Sequence, residues 1–200
     1  MSVGAAYDAR AAEYIALLGD IEQTDPRDQA LIGSWRDATP GRLLDAGCGP
    51  GLWTRLLHDG GRNVLGLDLS GEFVSHARAT YPGMPFEQGS FAELPLPDAS
   101  LGGILAWYSL IHTPPAELPA TLAEFSRVLA PGGSALLGFF DGTPREPFDH
   151  AVTTAYFWTP DALGEMLEQA GFAITSSERR ARTPTEASSR LHASVTATRT

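Results

Sequence analysis

The sequence contains no lysine, a single cysteine (Cys48) and no long hydrophobic run. All 14 basic residues are arginine, set against 24 acidic residues, so the formal net charge is −10. Broad contact with nucleic acid or an anionic membrane needs positive charge to displace counterions, so this balance argues against both, though not against a local arginine site. A lone cysteine cannot close an intramolecular disulfide, which fits a reducing interior. The longest apolar stretch, Ile104–Ile111, is far too short to span a bilayer. The opening residues, MSVGAAYDARAAEY, lack the basic start and apolar core of a secretory signal. The expectation is a soluble, cytoplasmic protein with neither nucleic acid nor membrane among its partners. A homodimer is left open.

With 200 residues and 43% hydrophobic content, the chain can bury a substantial core, and a single domain over 1–200 is expected. The first forty residues read as helical. YDARAAEYIALLG is alanine-rich with apolar residues at helical spacing, and a second helix is expected near DPRDQALIGSW, where Asp25 caps and Pro26 suits the first turn. From Gly41 onward strand and helix patterns alternate. RLLDA, NVLGLDLS, MPFEQGS, LGGILAWYS and SALLGFF read as strands. GLWTRLLHDGG, GEFVSHARATYPG, PPAELPATLAEFSRVLAPGG and TPDALGEMLEQAGF read as helices. FAITSSERR and LHASVTATR are alternating runs joined by a turn-rich stretch, the pattern of an antiparallel hairpin. Repeated βα units predict an α/β fold, a doubly wound, mainly parallel sheet with helices on both faces and ligands at the carboxyl ends of the strands.

Three glycines within five residues follow the first strand: LLDAGCGPG, Leu43–Gly51. Glycine permits positive φ and leaves no side chain between the backbone and a ligand. A tight corner explains such a turn equally well. The second strand narrows the choice, because GLDLS places Asp68 at its end, twenty-one positions after Gly47. An acid there can accept hydrogen bonds from both ribose hydroxyls of a nucleoside, while the competing reading of Asp68 is a helix N-cap. The glycine pattern is G-x-G-P-G rather than the dinucleotide G-x-G-x-x-G, and Asp45 stands two residues before Gly47. A carboxylate repels a pyrophosphate and attracts an ammonium group, which favours a cationic ligand.

LLDAGCGPG, GLDLS, GSFAELPLPDASLGGILAWYSLIH, LAPGG and TPDALGEMLEQAGF together resemble the successive motifs of class I S-adenosylmethionine-dependent methyltransferases. The resemblance covers about Gly41 to the C-terminus and implies a Rossmann-like seven-stranded sheet whose last strand is antiparallel. Residues 1–40 would form a helical lid and 41–200 the cofactor-binding core. The resemblance implies that Asp45, Ala46, Gly47, Gly49 and Gly51 surround the methionine part of S-adenosylmethionine, with Cys48 in the same turn. Asp68 would hold the ribose and Leu69 flank the adenine. Ser90 and Phe91 occupy the place beside the adenine amino group where many relatives have an acid, so that contact should be weaker here. Trp107 would bring its backbone to the methionine end. Tyr7 matches a tyrosine that closes over the cofactor.

His112 follows the central strand where the methyl acceptor should sit. It can take a proton from an acceptor hydroxyl or amine, or simply bond backbone at the strand-to-helix corner. Tyr108, Tyr156 and Trp158 can line an acceptor pocket; core packing is the alternative for each. The five histidines show no metal-ligand spacing, and no metal is expected. The central strand ends AWYSLIH, not Asn/Asp-Pro-Pro-Tyr, and no basic face is present, so a small-molecule acceptor is the most economical reading. An NAD-dependent oxidoreductase, and a methyltransferase-like module that binds cofactor without turnover, are the alternatives.

Overall fold

A computed structural model describes residues 2–181 and 190–200. Three helices lead in: α1 (Val3–Asp8), α2 (Ala11–Leu18) and α3 (Pro26–Ala38). Asp25 caps α3, its carboxylate accepting from Arg27 N, and Pro26 opens the first turn as expected. The YDARAAEYIALLG segment is not one helix. It breaks at Ala9–Arg10, although alanine-rich sequence favours continuity. Tertiary contacts override that propensity: the Asp8 carboxylate accepts from Ser70 Oγ (2.6 Å) and Glu72 N (3.2 Å), and the Arg10 guanidinium donates to Ala151 O.

The alternating half begins with β1 (Leu43–Ala46), α4 (Leu52–His58), β2 (Val64–Asp68), α5 (Gly71–Thr80), β3 (Phe86–Gln88) and β4 (Leu101–Trp107). It continues with α6 (Leu118–Val128), β5 (Leu129–Asp141), β6 (Pro147–Phe148), β7 (Ala155–Tyr156), α7 (Pro160–Gln169), β8 (Phe172–Arg180) and β9 (Leu191–Arg199). The sheet has seven strands in the order β3-β2-β1-β4-β5-β9-β8. The first five are parallel; β9 runs antiparallel between β5 and β8. This is the doubly wound sheet with an antiparallel hairpin that the sequence predicts. The turn-rich stretch expected to join the hairpin falls largely at 182–189, outside the described residues. One expectation is corrected. LAPGG belongs to β5, not to the tail of α6, because Leu129 pairs with Leu101. The segment after β5 carries its own two-stranded β6–β7 sheet, too short to register as period-2 alternation.

Both faces of the sheet are covered at its centre, which explains why β1, β2 and β4 are buried along nearly their whole length. Along β4, Ile104 and Ala106 face α6 and α7, in a core with Leu44, Leu65, Leu122, Phe125 and Leu167. Leu105 and Trp107 face α3 and α4, with Ile32, Trp35, Leu43 and Leu57. A strand order that departs in both directions from the β1–β4 pair opens a crevice at the carboxyl ends of those strands, where the glycine turn lies.

Candidate functional site

The turn after β1 is fixed by backbone hydrogen bonds. Gly47 N (2.7 Å) and Cys48 N (3.0 Å) donate to Leu67 O, and Gly51 N donates to Cys48 O (3.0 Å). Gly47, Gly49 and Gly51 have φ of 82°, 52° and 93°, a left-handed backbone that disfavours side chains. The three differ in what surrounds them. A Cβ on Gly47 would lie 2.2 Å from Ser109 Cβ, and one on Gly51 would lie 3.0 Å from Ala77 Cβ and the Phe86 ring. Those two glycines allow close packing of Ser109, just beyond β4, and of α5 and β3 against the turn. A Cβ on Gly49 would meet no described atom within 4 Å. Gly49 is the one member of the turn that faces open space.

Asp68 meets the turn at this glycine. Its Oδ2 accepts from Gly49 N and its Oδ1 from Ser70 N, both at 2.8 Å. The N-cap of α5 is Ser70, whose Oγ accepts from Phe73 N (3.1 Å), so the capping alternative for Asp68 does not hold. Burial raises the Asp68 pKa; the Ser70 and Gly49 N–H groups oppose that rise, and Asp8 adds to it. Asp45 is deeper, 1% exposed, and accepts from the Thr54 hydroxyl at 2.6 Å. Burial pushes its pKa up to about 7, and the nearby Asp68 charge adds to the rise. Neither carboxylate has a cationic partner among the described residues. Cys48 packs with Val74, Ala77 and Phe86, and burial raises its thiol well above the usual range. Ala46 is fully buried in the core.

The N-terminal helices lie over these strand ends. α1 packs on Leu69 so closely that a Cβ on Gly4 would be 3.0 Å from Leu69 O. The Tyr7 ring packs tilted against Phe73 (5.6 Å) and edge-on to Tyr14 (5.9 Å). Its hydroxyl lies 2.8 Å from His112 Nε2, and His112 Nδ1 lies 2.9 Å from Thr154 O. A carbonyl only accepts, so the proton sits on Nδ1, and Tyr7 donates to Nε2. Burial lowers the His112 pKa, leaving the imidazole neutral at pH 7.

Other candidates divide between the site and the core. Ser90 Oγ accepts from Ala92 N (3.1 Å), and Phe91 turns edge-on to Phe125 on α6. The Trp107 indole is in the α3/α4 core against Trp53, leaving only its backbone at the strand end. Tyr108 has φ of 55°, a strained value for a side-chain-bearing residue, and its hydroxyl bonds His192 Nδ1 (2.5 Å). Tyr156 is half-buried on β7, while Trp158 is 1% exposed within the core. The sequence reading missed Tyr14, Thr54, Arg10, Thr154 and His150. Tyr14 had a signal in the sequence, where it stands seven residues after Tyr7 in a segment that reads as one helix. His150 lies 5.0 Å from His112; burial and the charges of His112, Arg190 and Arg10 depress its pKa to about 4. A cavity of about 470 Å³ lined by Arg55, His58, Thr80 and Tyr81 lies at the opposite edge of the sheet, away from this constellation.

Comparison with known proteins agrees with this geometry. A family model described as a methyltransferase domain matches residues 43–133. A probable S-adenosylmethionine-dependent methyltransferase of Mycolicibacterium smegmatis is 37% identical over 140 residues, covering 66% of this chain and 52% of that one. The [4+2]-cyclase SpnF superposes with a TM-score of 0.82 at 22% identity, over 98% of this chain and 94% of the other. Magnesium protoporphyrin IX methyltransferase from Synechocystis PCC 6803, with bound S-adenosylhomocysteine, gives a TM-score of 0.77 at 21% identity, over 99% and 98%. At those identities the two structures speak to the fold alone. The chain spans about half the length of the curated relatives it matches. Strand order, glycine turn and the methyltransferase-domain match over residues 43–133 agree, and together they support a class I S-adenosylmethionine-dependent methyltransferase.

Proposed function

We propose that this domain binds S-adenosylmethionine at the carboxyl ends of β1 and β2 and directs its methyl group to a small-molecule acceptor. The observation that carries this reading is the pairing of Gly49, open where its side chain would be, with the Asp68 carboxylate bonded to its N–H. A ligand can lie against the bare backbone at Gly49. An ionised carboxylate offers about four acceptor positions, and Asp68 uses two, which leaves room for two ribose hydroxyls. Two buried carboxylates with raised pKa and no cationic partner among the described residues create a site that prefers a cation. That preference favours a sulfonium-bearing, ammonium-bearing cofactor over the diphosphate of NAD. When bound, the cofactor supplies an electrophilic methyl group.

The protein's own contribution is alignment and exclusion of water, which can supply on the order of several kcal/mol of the barrier. Tyr7 and Tyr14 provide a cover over Phe73, and the segment from His150 to Tyr156 stands on the acceptor side of β4 and β5. His112 does not serve as a base in this arrangement, because the Nε2 lone pair already accepts from Tyr7. The net charge of −10 supports a small acceptor rather than nucleic acid. A fold does not fix its chemistry, so the second reading is a domain that holds the cofactor without transferring its methyl group. Calorimetric titration tests the first step: S-adenosylhomocysteine should bind and NADH should not. The reverse result would sink the reading. Consumption of S-adenosylmethionine in the presence of candidate acceptors, measured as S-adenosylhomocysteine formed, separates methyl transfer from holding alone.

A further inference from the structure

The break between α1 and α2 does more than bend the chain. It points two neighbouring side chains at one loop. Tyr7, in the last turn of α1, donates to His112 Nε2 at 2.8 Å, and His112 passes the connection to Thr154 O through Nδ1–H at 2.9 Å. Arg10, at the break itself, donates to Ala151 O. Residues 149–154 are thus tied to the N-terminal helices at two points, one direct and one through His112. The loop leads straight into β7, which pairs with β6, and Phe148 of β6 packs edge-on against Phe140 at 5.7 Å. His112 itself is 7% exposed, with the Tyr7 ring 5.5 Å away on one side and the His150 ring 5.0 Å away on the other. Both ring nitrogens are spent on holding other segments.

We propose that His112 is a positioning residue that latches the N-terminal cover, residues 3–18, to the acceptor-side loop, residues 149–154, so that the two open and close as one gate. The assignment of one side to the cofactor and the other to the acceptor rests on the function proposed above; the mechanical coupling does not. A neutral imidazole suits the task because it offers one donor and one acceptor on opposite edges of a rigid ring. Tyr7 suits it because burial raises its pKa far above neutrality and keeps the phenol a donor. The consequence is that neither ligand enters or leaves without loosening the cover of the other.

Hydrogen exchange on the full chain tests the latch, first without ligand and then with S-adenosylhomocysteine. Tyr7→Phe removes a single hydroxyl and leaves the ring on Phe73. It should speed exchange about fivefold both in residues 3–8 and in the distant residues 149–156, the scale of one lost hydrogen bond. His112→Leu should do the same. His112→Gln should restore protection in both segments, since its amide can accept from Tyr7 and donate to Thr154 O. Added S-adenosylhomocysteine should protect both segments in the wild type. Faster exchange in 3–8 with no change in 149–156 for Tyr7→Phe overturns the proposal, as does a glutamine variant no better than leucine. If His112→Leu fails to fold, the Tyr7→Phe comparison decides alone. Failure of S-adenosylhomocysteine to bind would sink the proposed function, while the ligand-free exchange would still judge the gate.

Discussion

Asp45 is the residue whose removal should reshape the pH dependence of stability. Its carboxylate is fully buried beneath the glycine turn, holds one hydrogen bond from Thr54 and faces the charge of Asp68. Its pKa rises to about 7, whereas an aspartate in the unfolded chain titrates near ~3.9. Between those values the folded state binds a proton that the unfolded state has lost. Stability therefore falls as pH rises through this window, with a slope approaching ~1.4 kcal/mol per pH unit. Carried across about three units, the loss is about 4 kcal/mol, a large share of the roughly 5–15 kcal/mol that holds a domain together. His150 works in the opposite sense, because its depressed pKa makes stability rise with pH between about 4 and the ordinary histidine value. The difference between wild type and Asp45→Asn removes that contribution. Urea unfolding of both proteins, ligand-free, at intervals from pH 5 to pH 8 is the measurement. The variant should be relatively more stable at pH 8 than at pH 5, by about 2–3 kcal/mol, because the window covers only the upper two of those three units. Parallel pH profiles for the two proteins would refute the assignment of a strongly raised pKa to Asp45. A cationic ligand beside the turn should also lower this pKa, so S-adenosylmethionine binding near pH 6.5 should release protons, seen as binding heats that vary with buffer ionisation enthalpy.

Asp68→Ala should weaken S-adenosylhomocysteine binding by about 2 kcal/mol, roughly thirtyfold, in calorimetry, because contacts to a charged acceptor are lost; unchanged affinity would remove the ribose role. Gly49→Val should leave a folded protein by circular dichroism, at a cost of about 1–2 kcal/mol for its positive φ, and abolish binding by filling the open space at the turn. Gly47→Ala should do the reverse, lowering the urea midpoint by the equivalent of about 1–3 kcal/mol or more, because its Cβ would collide with Ser109.

The parts of the architecture legible in the sequence were those with local signatures. Strand-helix alternation, the Asp25–Pro26 and Thr159–Pro160 helix starts and the glycine turn with Asp68 all depend on residues within a few positions of one another. What escaped was set by distant partners. The break at Ala9–Arg10 depends on Ser70, Glu72 and Ala151, none of which is near in sequence. Thr54 carries no mark of its bond to Asp45, because a threonine on an apolar helix face reads as packing. The same limit explains why three glycines that look alike separate into two packing positions and one open one only when Ser109, Ala77 and Phe86 are in place. His112 was legible as a residue of interest, but its role depends on a tyrosine more than a hundred residues earlier.

The place of β9 in the sheet governs how the molecule can be made. Among the described residues β8 reaches the sheet only through β9, from Phe172 paired with Arg199 to Arg180 paired with His192. Until Leu191–Arg199 has left the ribosome, β5 is a bare edge carrying Leu136, Leu137 and Phe139, and α7 with β8 has no sheet to join. Such an edge is a template for pairing with another chain. Synthesis therefore passes through a period in which the parallel half can assemble while its last partner is still missing. The length of that period, rather than the stability of the finished sheet, sets the exposure of this chain to misassembly, and a pause in translation ahead of residue 191 would lengthen it.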